Sequence, residues 1–151
     1  MDNVIFDVEI IDPRKSLPSS HSVSAVFLIA LSGNNIVAIR NHRGWDLPAG
    51  HVEDGETLLG ALQRETQEEA SMRFQNAIPL AVVTSNSKDQ KYAGKCMVGY
   101  MTKEFIFDPF TPAPDSEERK LMDKEEFLLL YQGNRENMKL IVDKAYKWFS
   151  L

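Results

Sequence analysis

Three glutamates lie close together in the segment GHVEDGETLLGALQRETQEEASM, which spans residues 50–72. Glu65 precedes Glu68 by three positions and Glu69 by four, so on an α-helix their Cβ atoms are roughly 5–6 Å apart. Two like charges about 5 Å apart repel by roughly 3 kcal/mol at an effective dielectric constant of 20, and by roughly 0.8 kcal/mol in water. The cluster is therefore either a fully solvated helix surface or a cage for a divalent cation.

The position of the acids on the predicted helix favours the cage. The apolar side of a helix over about 57–70 is formed by residues four positions apart, Leu58, Leu62 and Thr66, with Thr57 as a plausible N-cap. At about 100° per residue, Glu65 and Glu69 fall beside that side, where solvation is poorer than in open water. A hard cation such as Mg²⁺, which prefers carboxylate and carbonyl oxygen, would relieve their repulsion.

Three further residues of the segment suit such a site. Gly50 has no Cβ and allows a close approach of ligand to backbone. Glu56 lies just before the helix, and Arg64 is placed beside the acids. Because a guanidinium can hold a carboxylate through two hydrogen bonds, Arg64 is expected to fix the direction of a glutamate.

The elements around this helix are predicted mostly to be strands. Candidate strands cover residues 4–11, 22–31, 35–40, 77–85, 95–107 and 119–123. The first is a possible edge strand, and SGNN between the second and third predicts a hairpin. Another helix or turn begins at 124, and the spacing of Met138, Ile141, Ala145 and Trp148 predicts an amphipathic helix over 135–149. This order predicts an α+β fold with a mixed sheet between helices.

Length and composition indicate one domain with an ordinary core. The chain has 151 residues, 43% hydrophobic and 26% charged, with a net charge of −5 that disfavours a duplex-DNA surface. The only cysteine, Cys96, excludes an internal disulfide and lies in an apolar run typical of a core. The first ten residues carry acids where a signal peptide carries bases, and AVFLIAL is too short to span a membrane. The expected location is therefore the cytoplasm, away from membranes.

The glutamate segment resembles the Nudix box. The family pattern is Gly, five residues, Glu, seven residues, Arg-Glu, an aliphatic residue, any residue, Glu-Glu, any residue, Gly and an aliphatic residue. The matching positions here are Gly50, Glu56, Arg64, Glu65, Glu68 and Glu69. Thr66 replaces an aliphatic residue, and Ser71 replaces the closing glycine, which is expected to end the helix in a left-handed turn. The resemblance covers roughly residues 22–149, whereas residues 1–20 stay an unassigned N-terminal segment.

The resemblance implies an α/β/α sandwich and Mg²⁺-dependent hydrolysis of a phosphoanhydride bond in a nucleoside diphosphate-linked substrate, with Mn²⁺ as a possible substitute. The implied metal ligands are Glu68, Glu69, the carbonyl of Gly50 and Glu65, which is alternatively the base that takes the proton of water. Arg64 would orient a glutamate, and Glu56 would be its partner or a further ligand.

The part of the site that recognises substrate is harder to identify. Arg40, which ends a strand before a basic loop, is the predicted phosphate contact, with Arg43 as a second choice, and Asn134 is the predicted base contact with Asn137 nearby. Either Glu104 or Glu118 is a possible additional metal ligand. The aromatic residues that could stack on a base are Trp45, Tyr92, Tyr100, Phe105 and Tyr131, although a core or strand position suits each of them as well.

The favoured substrate is a nucleoside triphosphate or another small nucleotide. The alternatives are a Nudix-fold nucleotide-binding or regulatory domain without turnover, and an RNA 5′-end pyrophosphohydrolase. The sequence leaves the oligomeric state open, including a homodimer.

Overall fold

The computed structural model describes residues 6–10, 22–85 and 96–149. Its elements in chain order are β1 (Phe6–Ile10), β2 (Ala25–Ser32), β3 (Asn35–Asn41), β4 (Gly44–Asp46), β5 (Ala49–His51), α1 (Leu58–Ala70), β6 (Met72–Ser85), β7 (Cys96–Phe107), β8 (Glu118–Asp123), α2 (Lys124–Leu130) and α3 (Arg135–Phe149). The ends of the predicted first strand and the candidate Tyr92 lie outside the described residues. No helix within these three ranges is long and apolar enough to cross a membrane.

The strands form a mixed sheet. Their order is β1-β6-β7-β2-β3-β4, with β5 beside β2 and β8 beside β3. β2 and β7 pair in parallel, whereas the other pairs are antiparallel. Among the described strands, β1 pairs only with β6 and lies at the edge of the sheet, as predicted. The predicted hairpin joins β2 to β3 through the pairs Leu31–Ile36 and Ser32–Asn35.

Helices cover both faces of the sheet. Alternate side chains of β2 point to opposite faces, so this strand contributes to both cores. Val26, Leu28 and Ala30 pack in the core that α1 covers. Phe27, Ile29 and Leu31 pack in the core that α2 and α3 cover. The predicted α+β sandwich is confirmed, and Cys96 is a buried core residue as expected.

Side chains mark both ends of α1. The hydroxyl of Thr57 accepts a hydrogen bond from the Gly60 N–H at 3.0 Å, which confirms the predicted N-cap. Ser71 ends the helix at φ 50° and ψ 52°, and no other described non-glycine residue has a positive φ. The left-handed turn expected of a closing glycine is thus made by a serine, at a cost of roughly 1–2 kcal/mol.

Candidate active site

Glu65 and Glu69 lie on the wall of a cleft of about 290 Å³. The cleft is also lined by His42 and Arg43 from the turn between β3 and β4, and by the three residues of β5. Asp115, in the segment between β7 and β8, adds a third carboxylate. The cleft therefore combines carboxylates with basic side chains, an arrangement that suits a polyanion accompanied by a cation.

Arg64 connects the acids that surround this cleft. Its Nε and Nη2 each donate to a different oxygen of Glu56 at 2.9 Å, so the expected two-point contact is present. Its Nη1 donates to Glu65 Oε1 at 2.8 Å and to Glu68 Oε2 at 3.5 Å, and its Nη2 donates to the His51 carbonyl at 2.9 Å. The hydrogen bonds from Arg64 lower the pKa of Glu56 to about 2, and those to Glu56 raise the pKa of Arg64 above its usual value.

Gly50 makes room for the carboxyl group of Glu65. A Cβ built on Gly50 would lie 2.0 Å from Cδ and 2.3 Å from Oε2 of Glu65. The side chain of Glu65 is 15% exposed, and this burial raises its pKa while the hydrogen bond from Arg64 opposes the shift. Any side chain at position 50 would displace a glutamate that faces the cleft.

Glu69 is the acid whose charge is penalised most. It is partly buried, and its Oε1 accepts a hydrogen bond from the Ala49 N–H at 2.7 Å. Burial, which is the largest cause, and the negative charges of Glu65, Asp46 and Asp115 together raise its pKa to about 8 against the effect of that hydrogen bond. A cation in the cleft would favour the charged form of Glu69.

Carboxylate oxygens are ligands that suit a hard cation. In this structure, however, the acidic side chains are not grouped around one point. In the ranges 6–10, 22–85 and 96–149, no three His, Cys, Asp or Glu side chains are grouped as a metal site. Glu65 and Glu69 line the cleft, whereas the side chain of Glu68 is 58% exposed and its carboxylate contacts Arg64. Binding by all three glutamates would require Glu68 to leave its 3.5 Å contact with Arg64.

The residues predicted to bind substrate lie away from the cleft wall. Arg40 forms ion pairs with Glu117 at 3.0 Å and Glu118 at 3.2 Å, so contact with phosphate would require these pairs to break. The side chain of Asn134 accepts a hydrogen bond from the Asn137 N–H at 3.0 Å at the start of α3. Both substrate roles stay predictions, and Arg43, the second choice for phosphate, is the arginine on the cleft wall.

The other candidates from the sequence are engaged elsewhere. Glu104 accepts a hydrogen bond from Asn76 at 2.9 Å, and Glu118 pairs with Arg40. The aromatic candidates within the described residues are buried in the cores or packed against them: Trp45, Tyr100, Phe105 and Tyr131.

The sequence reasoning missed Asp115. Its segment, DPFTPAPDSEE, shows only prolines and polar residues, which predict a connection between strands. Asp115 lies 46 positions after Glu69, and no local spacing relates the two residues. Only the path of the chain after β7 brings this carboxylate to the cleft.

Comparison with known proteins identifies a family model and several similar proteins. A family model described as NUDIX domain matches residues 19–151. The 8-oxo-dGDP phosphatase NUDT18 of Homo sapiens is 50% identical over 46 residues, 30% of this chain and 14% of that protein. The asymmetrical bis(5′-nucleosyl)-tetraphosphatase of Sus scrofa is 35% identical over 83 residues, 55% of this chain and 50% of that protein. The matches thus span half or less of the length of these curated relatives.

Solved structures share the fold at lower identity. The mMutator MutT protein from Bacillus halodurans has a TM-score of 0.61 and 19% identity, with 76% of each chain covered. The MutT NUDIX hydrolase from Burkholderia pseudomallei has a TM-score of 0.57 and 21% identity, with 66% of this chain and 81% of that chain covered. These similarities confirm the sandwich fold.

Proposed function

The chain belongs to the NUDIX domain family, and from this premise we propose that it hydrolyses a phosphoanhydride bond in a small nucleoside diphosphate-linked substrate. The favoured substrate is a nucleoside triphosphate or a similarly small nucleotide, and water is the nucleophile. The observation that supports this most directly is the pair of partly buried carboxylates, Glu65 and Glu69, which line the same cleft as Arg43.

A divalent cation, Mg²⁺ or Mn²⁺, is part of the proposal. Its ligands would be Glu65, Glu68, Glu69 and the carbonyl of Gly50. When bound, the cation supplies positive charge that offsets the phosphates and lowers the pKa of the attacking water. The penalty on the charged forms of Glu65 and Glu69 supports this assignment, because a cation would remove much of it.

The protein side chains would orient the reactants and accept the proton. Arg64 would hold Glu65 in direction through its 2.8 Å contact while its other donors stay on Glu56. Glu65 would act as a ligand or as the base for water. These roles need a guanidinium that is already fixed, and the two-point contact with Glu56 supports such an arrangement.

We propose Arg43, which lines the cleft, as the phosphate contact in place of Arg40. A hydrogen bond between charged groups contributes about 1.5–3 kcal/mol, so Arg43→Gln should raise KM by about tenfold or more. Arg40→Gln is the matched control, because it removes the same charge from a residue held by Glu117 and Glu118. A larger KM effect in the Arg40 variant would reverse the assignment.

The decisive experiment is a substrate panel with Mg²⁺ and separation of products. It would contain nucleoside triphosphates, nucleotide sugars, ADP-ribose, dinucleoside polyphosphates and triphosphorylated RNA. Glu69→Gln should keep the fold and abolish nearly all turnover, whereas Glu104→Gln, which neutralises an exposed acid outside the cleft, should not. A folded Glu69→Gln protein with wild-type turnover at saturating Mg²⁺ would refute the proposal.

The same panel tests the alternatives. A binding domain without turnover would retain a nucleotide and release no product; the NUDIX domain of Shewanella oneidensis NrtR, a structural neighbour with a TM-score of 0.61, was crystallised with ADP ribose. Preference for triphosphorylated RNA would indicate an RNA 5′-end enzyme, which the net charge of −5 disfavours.

A further inference from the structure

The C-terminal end of α1 receives its stabilising partners from a distant segment. The last turn of α1 contains no basic residue, and the final carbonyls of a helix have no partners within the helix. A positive charge near these carbonyls is favourable because of the helix dipole. The segment 108–119, which connects β7 to β8 and includes the start of β8, supplies both the charge and the hydrogen bonds.

Arg119 is the centre of these contacts. Its Nη1 donates to the carbonyls of Ala70 at 2.7 Å, Ser71 at 3.1 Å and Asp108 at 3.0 Å. Its guanidinium carbon lies 4.1 Å from the centroid of the Phe107 ring, so the group is held by stacking as well as by hydrogen bonds. The arginine therefore joins the end of α1 to the end of β7.

Two buried serines complete the junction. The hydroxyl of Ser116 donates to the carbonyl of Glu69, and Ser116 is fully buried. The hydroxyl of Ser71 accepts a hydrogen bond from the Thr111 N–H at 3.0 Å, and its carbonyl accepts one from the Asp108 N–H at 2.8 Å. These contacts hold Ser71 in the left-handed conformation that the missing glycine would adopt more readily.

We infer that Arg119, together with Ser116, positions the carboxylate of Glu69 in the cleft. The main chain of Glu69 is fixed at its carbonyl by Ser116, and the next carbonyl is fixed by Arg119. The residue before Ser116 is Asp115, so one segment sets two of the acids on the cleft wall. Arg119 and Ser116 do not line the cleft, and they are positioning residues that act through α1.

The inference rests on the proposed function for its catalytic consequence, yet its structural core can be tested without turnover. The Ala49 N–H donates to Glu69 Oε1 at 2.7 Å and therefore reports where that carboxylate lies. In the metal-free protein, Arg119→Gln should move the Ala49 amide resonance and lower its protection from hydrogen exchange about tenfold relative to the amides of α3. Dividing by the protection of α3, which Arg119 does not contact in the described part of the chain, removes the effect of global destabilisation.

Arg73 provides the matched control. It lies at the same end of α1 and binds the Asp108 carboxylate through Nε and Nη2 at 3.0 Å each, whereas Arg119 binds the Asp108 carbonyl. Arg73→Gln should leave Ala49 unchanged. Ser116→Ala and Arg119→Lys are tested in case Arg119→Gln does not fold. Ser116→Ala should shift the Ala49 amide resonance. Arg119→Lys should keep the wild-type position of that resonance only in part, because an ammonium cannot stack as a guanidinium does.

Two further readouts follow in the cation-loaded protein. The Arg119 variant should bind Mn²⁺ about tenfold more weakly, and its kcat should fall about tenfold with KM nearly unchanged. If the wild-type protein neither binds the cation nor turns over substrate, the proposed function fails while the Ala49 result still decides this inference. An Arg119→Gln protein with a lower melting temperature but an unchanged Ala49 amide would overturn it, as would an equal shift in Arg73→Gln.

Discussion

Gly50→Ala is the substitution whose effect on the site can be worked out most directly. The new methyl group would lie 2.0 Å from Cδ, 2.3 Å from Oε2 and 2.4 Å from Cγ of Glu65. A Cβ essentially never lies within 3.0 Å of a non-bonded heavy atom, so the Glu65 side chain must rotate. Rotation breaks its 2.8 Å hydrogen bond with Arg64 and removes the carboxylate from the cleft.

The substitution is expected to lower both stability and activity. Overpacking costs about 1–3 kcal/mol, and Glu65 can relieve part of it because its end is flexible. For a chain of 151 residues the melting temperature should therefore fall by about 2–12 °C, and by less if the relief is efficient. A lost hydrogen bond between charged groups corresponds to about 1.5–3 kcal/mol, so kcat/KM should fall by about tenfold or more.

A double-mutant cycle separates this mechanism from a general disturbance of β5. In the Glu65→Ala background the methyl group at position 50 has space, so Gly50→Ala should cost little further stability. Gly33→Ala is the control, because φ at Gly33 is +60° and nothing lies within 4 Å of its ideal Cβ. It should lower stability by about 1–2 kcal/mol and leave kcat/KM unchanged. Wild-type activity in Gly50→Ala, or an undiminished stability loss without Glu65, would refute the reasoning.

Three other outcomes are expected at the same site. The folded state holds the Glu69 proton more tightly than the unfolded chain, with a pKa of about 8 against 4.5, so the metal-free protein should lose stability as pH rises from 4.5 to about 8. Thermal melts in EDTA should show that the melting temperature of Glu69→Gln depends less on pH than that of the wild type. Millimolar Mg²⁺ or Mn²⁺ should raise the melting temperature of the wild type, and an equal rise in Glu68→Gln/Glu69→Gln would indicate non-specific ion effects. Arg64→Ala should lower turnover about tenfold or more in a protein that still melts cooperatively; full activity in Arg64→Lys would show that only the positive charge matters.

The elements of this fold follow from local sequence patterns. The N-cap at Thr57 and the four-residue spacing of apolar side chains predicted α1, and the spacing of apolar residues after 135 predicted α3. The short turn before Asn35 predicted the hairpin. In each case the information lies within about 15 residues, so propensity and periodicity are sufficient.

The contacts between Arg64 and its partners could also be anticipated. Glu65 and Glu68 are close to Arg64 along the helix, and Glu56 lies just before the first turn. The spatial cluster is thus a consequence of helix geometry and one turn. The close approach of the Glu65 side chain to Gly50 could not be predicted from local spacing, because it depends on where β5 passes under the helix.

The distant residues could not be placed from sequence. Arg40 ends a strand as predicted, but β8 pairs with β3 and brings Glu118 opposite it, which engages the guanidinium. The same pairing places Arg119 opposite Ile39, and its side chain reaches the end of α1. Glu118 and Arg119 are neighbours on β8, yet their side chains point to different surroundings. The register of β8 therefore decides that an acid engages Arg40.

The crowding of like charges on α1 has two different explanations for its two parts. Glu56, Glu65 and Glu68 share one internal cation, Arg64, although burial still raises the pKa of Glu65. Within the described residues, the carboxylate of Glu69 has only the Ala49 N–H as a hydrogen-bond partner, and burial and neighbouring acids penalise its charge. The contact between Arg64 and Glu68 is the longest of the three, at 3.5 Å against 2.8 and 2.9 Å.

A cation that binds beside Glu69 therefore competes most easily for Glu68, because the contact between Glu68 and Arg64 is the longest of the three. Glu56 would stay on Arg64 and keep the guanidinium fixed while Glu68 turns to the cleft. Mg²⁺ titration followed through the side-chain carboxyl resonances should accordingly move Glu68 and Glu69 and leave Glu56 nearly unchanged. Equal movement of Glu56 would mean that Arg64 is released as a whole, and its proposed orienting role would then be wrong.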